Sequence, residues 1–476
     1  MSQPASTAHT PAPPQDIRAR PRTRPGATLA VTAAATAVAL MNYTAPMLTL
    51  PDMAAAFGTP ASARAWLLNG TPLGLAVLLL VAGSLADAHG RRRVFLLGTL
   101  ALGLTTATGA FAGSTATFTA ARIAQGAASA AVLAGSLGLL AQAYPAGRDR
   151  IRATGIWGAS VSAGIALGPL LAGALSLVDW RLAYEVLGAA ALVIAAAGTR
   201  LLPTDGAAEK AAGPGARPDI AGATALGLSL AALLTALTLG RDGWLRPQVG
   251  LLLLASVALT ALFVLAELRS RTPMVDLALL RRPAFLASTL GALFTGLAVI
   301  GLFSVVPALL QSGGGAASGA GAGMSPLGAA WLFVLWSGTA FVVALQTRRL
   351  AGRLSAPYQL TLGFVLSAAG VLALLGGLEG PADSWPRLLP GLLVAGAGSG
   401  LLNAALPRLA VDSVPPERAA MGSGANNTAR YIGSSAGVAL MLALATAGPD
   451  TAVLAAAALA LTGAGLTLTL GRRQRP

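Results

Sequence analysis

Two arginines stand inside long apolar runs: Arg122, in AARIAQGAAS, and Arg430, in NNTARYIG. A guanidinium in such a run is costly to bury and faces a partner or a cavity, where it can hold an anion or steer a proton. Gln125 and Gly126 follow Arg122 by three and four residues, so on a helix they share its face. Asn426 and Asn427 precede Arg430 with the same spacing. No carboxylate accompanies either arginine, because the 17 acidic residues fall in loops or near the ends of apolar runs. The deepest are Glu185, just after Trp180-Arg181, and Asp52. A buried carboxyl has a raised pKa and exchanges protons more readily. Arg122, Glu185 and Asp52 are therefore the candidates for proton coupling. The plainer readings are that Arg122 snorkels to the near end of its run, and that Glu185 makes an exposed ion pair with Arg181 four residues earlier.

A third group of charges lies in GSLADAHGRRR, Gly83 to Arg93, a tight turn between two apolar runs. Asp87 among Arg91, Arg92 and Arg93 can form a charge-assisted latch that opens and closes; the alternative is a solvated loop that only sets topology. Polar residues scattered through other apolar runs are candidates for a substrate-cavity wall: Asn42, Thr44, Asn69, Gln125, Asn403, Asn426, Asn427 and Arg430. Read more plainly, such amides hydrogen-bond neighbouring helices. Gly164, Gly168 and Gly173, with Pro169, give one run a smooth, bent face suited to close helix packing. Tyr43, Trp66, Trp331 and Trp336 supply either aromatic surface or anchors at a membrane interface.

The elements that position these residues are membrane helices. The chain is 55% hydrophobic and only 10% charged, with a mean hydropathy of +0.71, where a soluble domain carries about 25% charge. Fourteen apolar runs of roughly 20 residues predict an all-α membrane protein. With both termini on one side, that side holds 25 of the 32 basic residues; Arg64, Arg181, Arg241, Arg246 and Arg387 fall opposite, and Arg122 and Arg430 within runs. This asymmetry puts both termini in the cytoplasm. It also explains the net charge of +15 without nucleic acid. The expected order is a disordered cytoplasmic tail (1–27), a first six-helix half (28–202), a Pro-containing cytoplasmic linker (203–218), two further helices (219–268), a second six-helix half (283–470) and a short cytoplasmic tail (471–476). The last two runs are the hardest to separate. Repeated halves around a central path suit a transporter. The chain has no cysteine, and its two histidines are His9 and His89, so no metal site is expected. No nucleophile–base set and no nucleotide loop is present, so neither an enzyme nor a cofactor is expected.

The GSLADAHGRRR turn resembles the signature loop of the major facilitator superfamily, matching at Gly83, Leu85, Asp87, Gly90, Arg91 and Arg92. The resemblance implies that these residues gate the conformational cycle by bracing the outward-open state. Gly352-Arg353-Leu354 faintly echoes the loop in the second half. AARIAQGAAS is similar to the fourth-helix motif, whose arginine is linked to proton coupling, and GIALGPLLAG resembles the fifth-helix antiporter motif of exporters. MNYTAPMLTLP is similar to the first span of the fourteen-span drug:proton antiporter (EmrB/QacA-type) branch, with Thr44, Leu50 and Pro51 matching; Asn42 stands where that branch has an aspartate. Asp219-Ile220-Ala221-Gly222, Gly243-Trp244, Glu267, Pro273 to Leu277, and Pro307, Leu310 and Gln311 follow the branch in order. The resemblance implies a monomeric exporter of amphipathic, drug-like small molecules in the bacterial cytoplasmic membrane. It works by alternating access and exchanges its substrate for protons. Asn42 cannot carry a proton, and two intramembrane arginines lack a deep carboxylate. These departures motivate the alternative of a uniporter or an exporter of an anionic metabolite; a transporter-like sensor that moves nothing is a further one.

Overall fold

A backbone without water must close its own hydrogen bonds, and every regular element among the described residues is a helix. The computed structural model describes residues 25–473 apart from 61–62, 145–147, 204–219, 241–242, 244, 270–278, 280, 313–322, 351–354, 379–381 and 415–418. Nearly all of the tail at 1–27, the linker at 203–218 apart from Pro203, and the echo at Gly352–Leu354 thus lie outside the described residues.

In chain order the helices are α1 (Pro25–Thr44), α2 (Pro46–Ala56), α3 (Arg64–His89), α4 (Arg91–Ala110), α5 (Thr115–Ala143), α6 (Arg148–Leu175), α7 (Arg181–Leu201), α8 (Ile220–Gly240) and α9 (Pro247–Arg269). Then α10 (Pro283–Phe294) runs through a π-helical turn (Thr295–Ile300) and a short turn (Gly301–Phe303) to α11 (Val306–Ser312). They are followed by α12 (Pro326–Leu350), α13 (Ala356–Leu372), α14 (Leu389–Asp412), α15 (Ala419–Ala445) and α16 (Pro449–Arg472). Eleven of the described helices are long and apolar enough to cross a membrane; shorter apolar stretches lie at Thr224–Leu233 and Ala356–Leu372.

Local sequence fixes the breaks. Gly90 takes φ +99°, a conformation open to glycine, and separates α3 from α4. Gly448, at φ +129° and followed by Pro449, separates α15 from α16, the boundary that the apolar pattern leaves hardest to place. Ser114 and Thr117 cap α5 reciprocally, at 3.1 and 3.2 Å.

Two groups of helices result. In one, α5 packs on α3 and α4, α1 on α6, and α4 on α7; in the other, α13 packs on α14 and α16, α12 on α14, and the α10–π segment on α15. The groups meet along α3–α15 and α6–α12, while α8 and α9 pair with each other and α8 leans on α3 and α15. Helix contact in lipid relies on close van der Waals approach, and glycines supply it. A Cβ on Gly74 would fall on the Ile123 carbonyl oxygen, and one on Gly126 would fall on the Thr71 carbonyl oxygen and 2.9 Å from Gly74 Cα. In the other group, a Cβ on Gly296 would fall on the Arg430 carbonyl oxygen and one on Gly433 on that of Leu293, with Gly301 and Gly437 similarly opposed.

Gly83 differs, since a Cβ there meets nothing within 4 Å. Gly74→Val should therefore lower thermal stability by about 1–3 kcal/mol, as overpacking does, while Gly83→Ala leaves it unchanged or raised. Unfolding temperatures of the two purified variants check this; equal losses would contradict the packing.

Candidate functional site

Arg122 is 1% exposed, so it does not snorkel. Its guanidinium donates to the Asn42 carbonyl oxygen at 2.7 Å and to Gln125 Oε1, and it lies 5.9 Å from the Tyr184 ring centre. Gln125 is fully engaged. Its Nε2 donates to Asn42 Oδ1 at 2.7 Å and to Thr106 Oγ1 at 2.6 Å, and its Oε1 also accepts from Thr71 Oγ1 at 3.4 Å. Asn42 Nδ2 donates to the Val38 carbonyl oxygen at 3.1 Å. The cluster therefore draws on α1, α3, α4 and α5, with the Tyr184 ring of α7 beside it. A buried cation ordinarily takes a carboxylate; here its hydrogen-bond acceptors are all neutral. Residue 42 is where a carboxylate would fit, since it would accept the same bond from Gln125.

Between the two helix groups lies a cavity of about 760 Å³ including its open mouth. One wall comes from α1 and α6, the other from the α10–π segment, α12, α14 and α15. Phe303 and Trp336 stack there with ring centres 4.2 Å apart and an 8° interplanar angle, and Phe333 meets Trp336 edge-on at 5.1 Å. Arg430 lines the cavity, donates to Asn427 Oδ1 at 3.0 Å and stands 5.5 Å from the Tyr431 ring centre. Tyr431 in turn meets Tyr43 edge-on at 5.9 Å.

The antiporter-like glycines seat α6. A Cβ on Gly168 would fall on Thr44 Oγ1, one on Gly164 lies 2.8 Å from Leu40 Cβ, and one on Gly173 lies 2.9 Å from the Pro326 carbonyl oxygen. Gly164 and Gly168 thus hold α1, and Gly173 meets α12 across the groups; Pro169 lies within α6 and is buried. At the end of the bundle away from Gly90, three hydrogen bonds cross between the groups: Tyr43 Oη with Ser434 Oγ at 2.9 Å, Asn69 Nδ2 to the Ser435 carbonyl oxygen at 3.0 Å, and Gln311 Nε2 to the Leu48 carbonyl oxygen at 3.1 Å. Gly83 is fourteen residues beyond Asn69, almost four turns along the same face of α3, and there the face is open. In the signature turn, Arg91 donates to the Gly138 carbonyl oxygen at 3.2 Å and Arg92 to that of Thr199 at 2.7 Å, tying the turn to α5 and α7. The Asp87 side chain lies outside the described residues.

Of the candidate cavity residues, Thr44, Asn403 and Arg430 line it together. Asn42 and Gln125 belong to the Arg122 cluster, Asn69 bridges the groups, and Asn427 orients Arg430. Asn426 donates to the Ser288 carbonyl oxygen and Oγ, at 3.0 and 2.9 Å, and so joins α15 to α10. Glu185 is exposed, outside the cluster, and Arg181 pairs not with it but with Asp179 at 3.9 Å while covering the Trp180 ring. The neighbour, Tyr184, faces inward and meets Thr49 Oγ1 at 2.9 Å. Of the four aromatics singled out, Tyr43 and Trp336 line the cavity, while Trp331 is 57% exposed. Sequence reasoning missed Thr71, Thr106, Tyr184, Phe303 and Phe333; a hydroxyl or an aromatic in an apolar run gives too common a signal to single them out.

Residues 32–438 match the model of the Major Facilitator Superfamily. The chain is 31% identical over 399 residues to the multidrug resistance protein Stp of Mycobacterium tuberculosis, covering 82% of this chain and 70% of that one. It is 32% identical over 441 residues to a probable actinorhodin transporter of Streptomyces coelicolor, covering 88% and 72%. It is also 32% identical over 427 residues to a puromycin resistance protein of Streptomyces alboniger, covering 88% and 81%. A crystal structure of the peptide transporter POT with sulfate superposes with a TM-score of 0.66 over 94% of each chain, at 18% identity.

At the end of the bundle away from Gly90, burial lifts the half-buried Asp52 carboxyl above its ordinary range, and the Asp179 carboxylate adds to the shift. The folded state then keeps a proton that the unfolded chain has lost, so this group's effect on stability turns unfavourable as pH rises through the raised value. Asp52→Asn should raise the unfolding temperature at pH 7, with the gain closing below about pH 3.9. A melting series across pH measures it, and a gain that persists in acid contradicts the assignment.

Proposed function

This chain belongs to the Major Facilitator Superfamily, and we propose that it exports amphipathic, drug-like small molecules across the bacterial cytoplasmic membrane by alternating access, in exchange for protons. We take it as a member of the fourteen-span branch, functional as a monomer. Its first half is 28–202, its two added helices lie in 219–268, and its second half is 283–470, with both tails and the linker at 203–218 cytoplasmic. The observation that carries this reading is a cavity between two helix groups that are joined by hydrogen bonds at one end and open along α3 at the other. With the arginine-rich Gly90 end in the cytoplasm, the described state is closed outside and open inside. The relatives' names, of resistance and transport, support the exporting direction, as do the close-packed glycines of α6. In the opposite state, Gly83, Asp87, Gly90, Arg91 and Arg92 would draw the cytoplasmic ends together.

One observation favours transport without proton exchange as a second reading. The Arg122 cluster has amides and hydroxyls where a coupling carboxylate would be. Asp52 and Arg122 remain the candidates for proton coupling, whereas Glu185, being exposed, has the weakest case.

Purified chain in liposomes with an imposed pH gradient and a fluorescent amphipathic dye tests both readings. Export in exchange for protons predicts dye and proton fluxes of opposite direction, both reduced at least tenfold by Arg122→Ala. Dye movement indifferent to the gradient would establish the second reading, and no movement of any compound would sink export altogether.

A carboxyl at residue 42 would accept from Gln125 when ionised and donate to the Val38 carbonyl oxygen when protonated. Asn42→Asp should therefore give a flux whose pH dependence is steeper than that of the wild type. A pH profile of initial rates decides it, an unchanged profile counting against residue 42 as the coupling position.

A further inference from the structure

The cavity's polar groups are not evenly matched. No Asp or Glu occurs among the described residues lining it, while Arg430 does. That guanidinium gives one hydrogen bond to Asn427, and its Nε is buried without an acceptor. Trp336 Nε1, on the same cavity, is also buried without an acceptor. These are two unmatched donors, one of them cationic, facing a space that offers no counter-charge. The lining hydroxyls show the reverse bias. Thr44, Thr295, Ser304, Ser337 and Ser399 each donate to the carbonyl four residues earlier, at 2.7 to 3.0 Å. Their hydrogens are committed to the backbone, so toward the cavity they present oxygen lone pairs. The remaining wall is flat: the Phe303–Trp336 stack, with Phe333 and Phe341 beside it.

We infer that the cavity takes a planar, hydroxylated aromatic anion, with its carboxylate or ionised phenol on Arg430, its rings on the Phe303–Trp336 wall and its hydroxyls donating to the Ser and Thr oxygens. This rests on the export reading and names the substrate class for it. An amphipathic cation of the same size would meet Arg430 with repulsion and no compensating carboxylate. Arg122 does not compete for the ligand, because its guanidinium lies outside the cavity and faces Asn42 and Gln125. The class also suits the carboxylate-free cluster. An anion leaving the cell is driven outward by the inside-negative potential, by about fiftyfold in concentration ratio per 100 mV, with no proton carrier required.

Binding of three matched probes to the full-length purified chain tests this by calorimetry: 3-hydroxy-2-naphthoate, its methyl ester and 2-naphthylmethylammonium. The acid should bind at least tenfold more tightly than either of the others. Arg430→Gln should erase that preference while leaving the ester's affinity within about twofold, and Arg430→Lys should restore most of it. Retained ester binding separates loss of the charge from loss of the fold. Wild-type chain that binds the cation as tightly as the acid overturns the proposal, as does an Arg430→Gln chain with unchanged affinity for the acid. Flux of the same probes from liposomes keeps the two readings apart. A chain that binds the acid and moves nothing refutes export and leaves the ligand class standing, whereas one that moves the cation and not the acid refutes the class and leaves export standing.

Discussion

A guanidinium taken out of water must find acceptors, and the first helix group is built around one that does so without a carboxylate. Arg122 recruits the Asn42 carbonyl oxygen and Gln125. Gln125 then recruits Asn42, Thr71 and Thr106, so four helices converge on one charge. The convergence requires α3 and α5 to touch, and the opposed glycines at 74 and 126 allow it. Breaking any member would leave a buried charge or amide short of partners, a larger loss than the bond itself. The network thus works as a rivet: it fixes where α1 stands, and α1 carries Tyr43 and Thr44 to the cavity.

The second group uses the same device to a different end. Gly296 against Arg430 and Gly433 against Leu293 bring the π-helical segment onto α15, and this crossing sets the height of Arg430. Here the guanidinium is left facing the cavity, with Asn427 holding one nitrogen. One arginine is closed by its neighbours and the other is open to what enters. That division of roles, more than any single contact, separates the scaffold from the binding surface.

Much of this was legible in the sequence. Apolar runs, the GSLADAHGRRR turn and the glycine spacing of GIALGPLLAG pointed to helices, breaks and close-packed faces. The shared face of Arg122 and Gln125 followed from helical period alone. What the sequence hid was pairing between distant helices. Nothing local shows that Asn69 meets Ser435 or that Tyr43 meets Ser434. Glu185 drew attention because it is charged, yet a step of one residue turns a side chain by 100°, and it is Tyr184 that faces the arginine. Asn426 and Asn427 differ in the same way, one joining helices and the other steering Arg430.

The π-helical turn at Thr295–Ile300 has a consequence for how this segment can change over generations. It holds one residue more than an α-helical turn would at that place. Loss of a single codon there would let the turn relax to regular helix. Everything beyond would then swing by about 100°, carrying Phe303 and Ser304 off the cavity while Thr295 stayed on it. Substitutions along this wall can retune what the cavity holds, but its length is locked: drift in residue type is open to the segment, and drift in residue number is not.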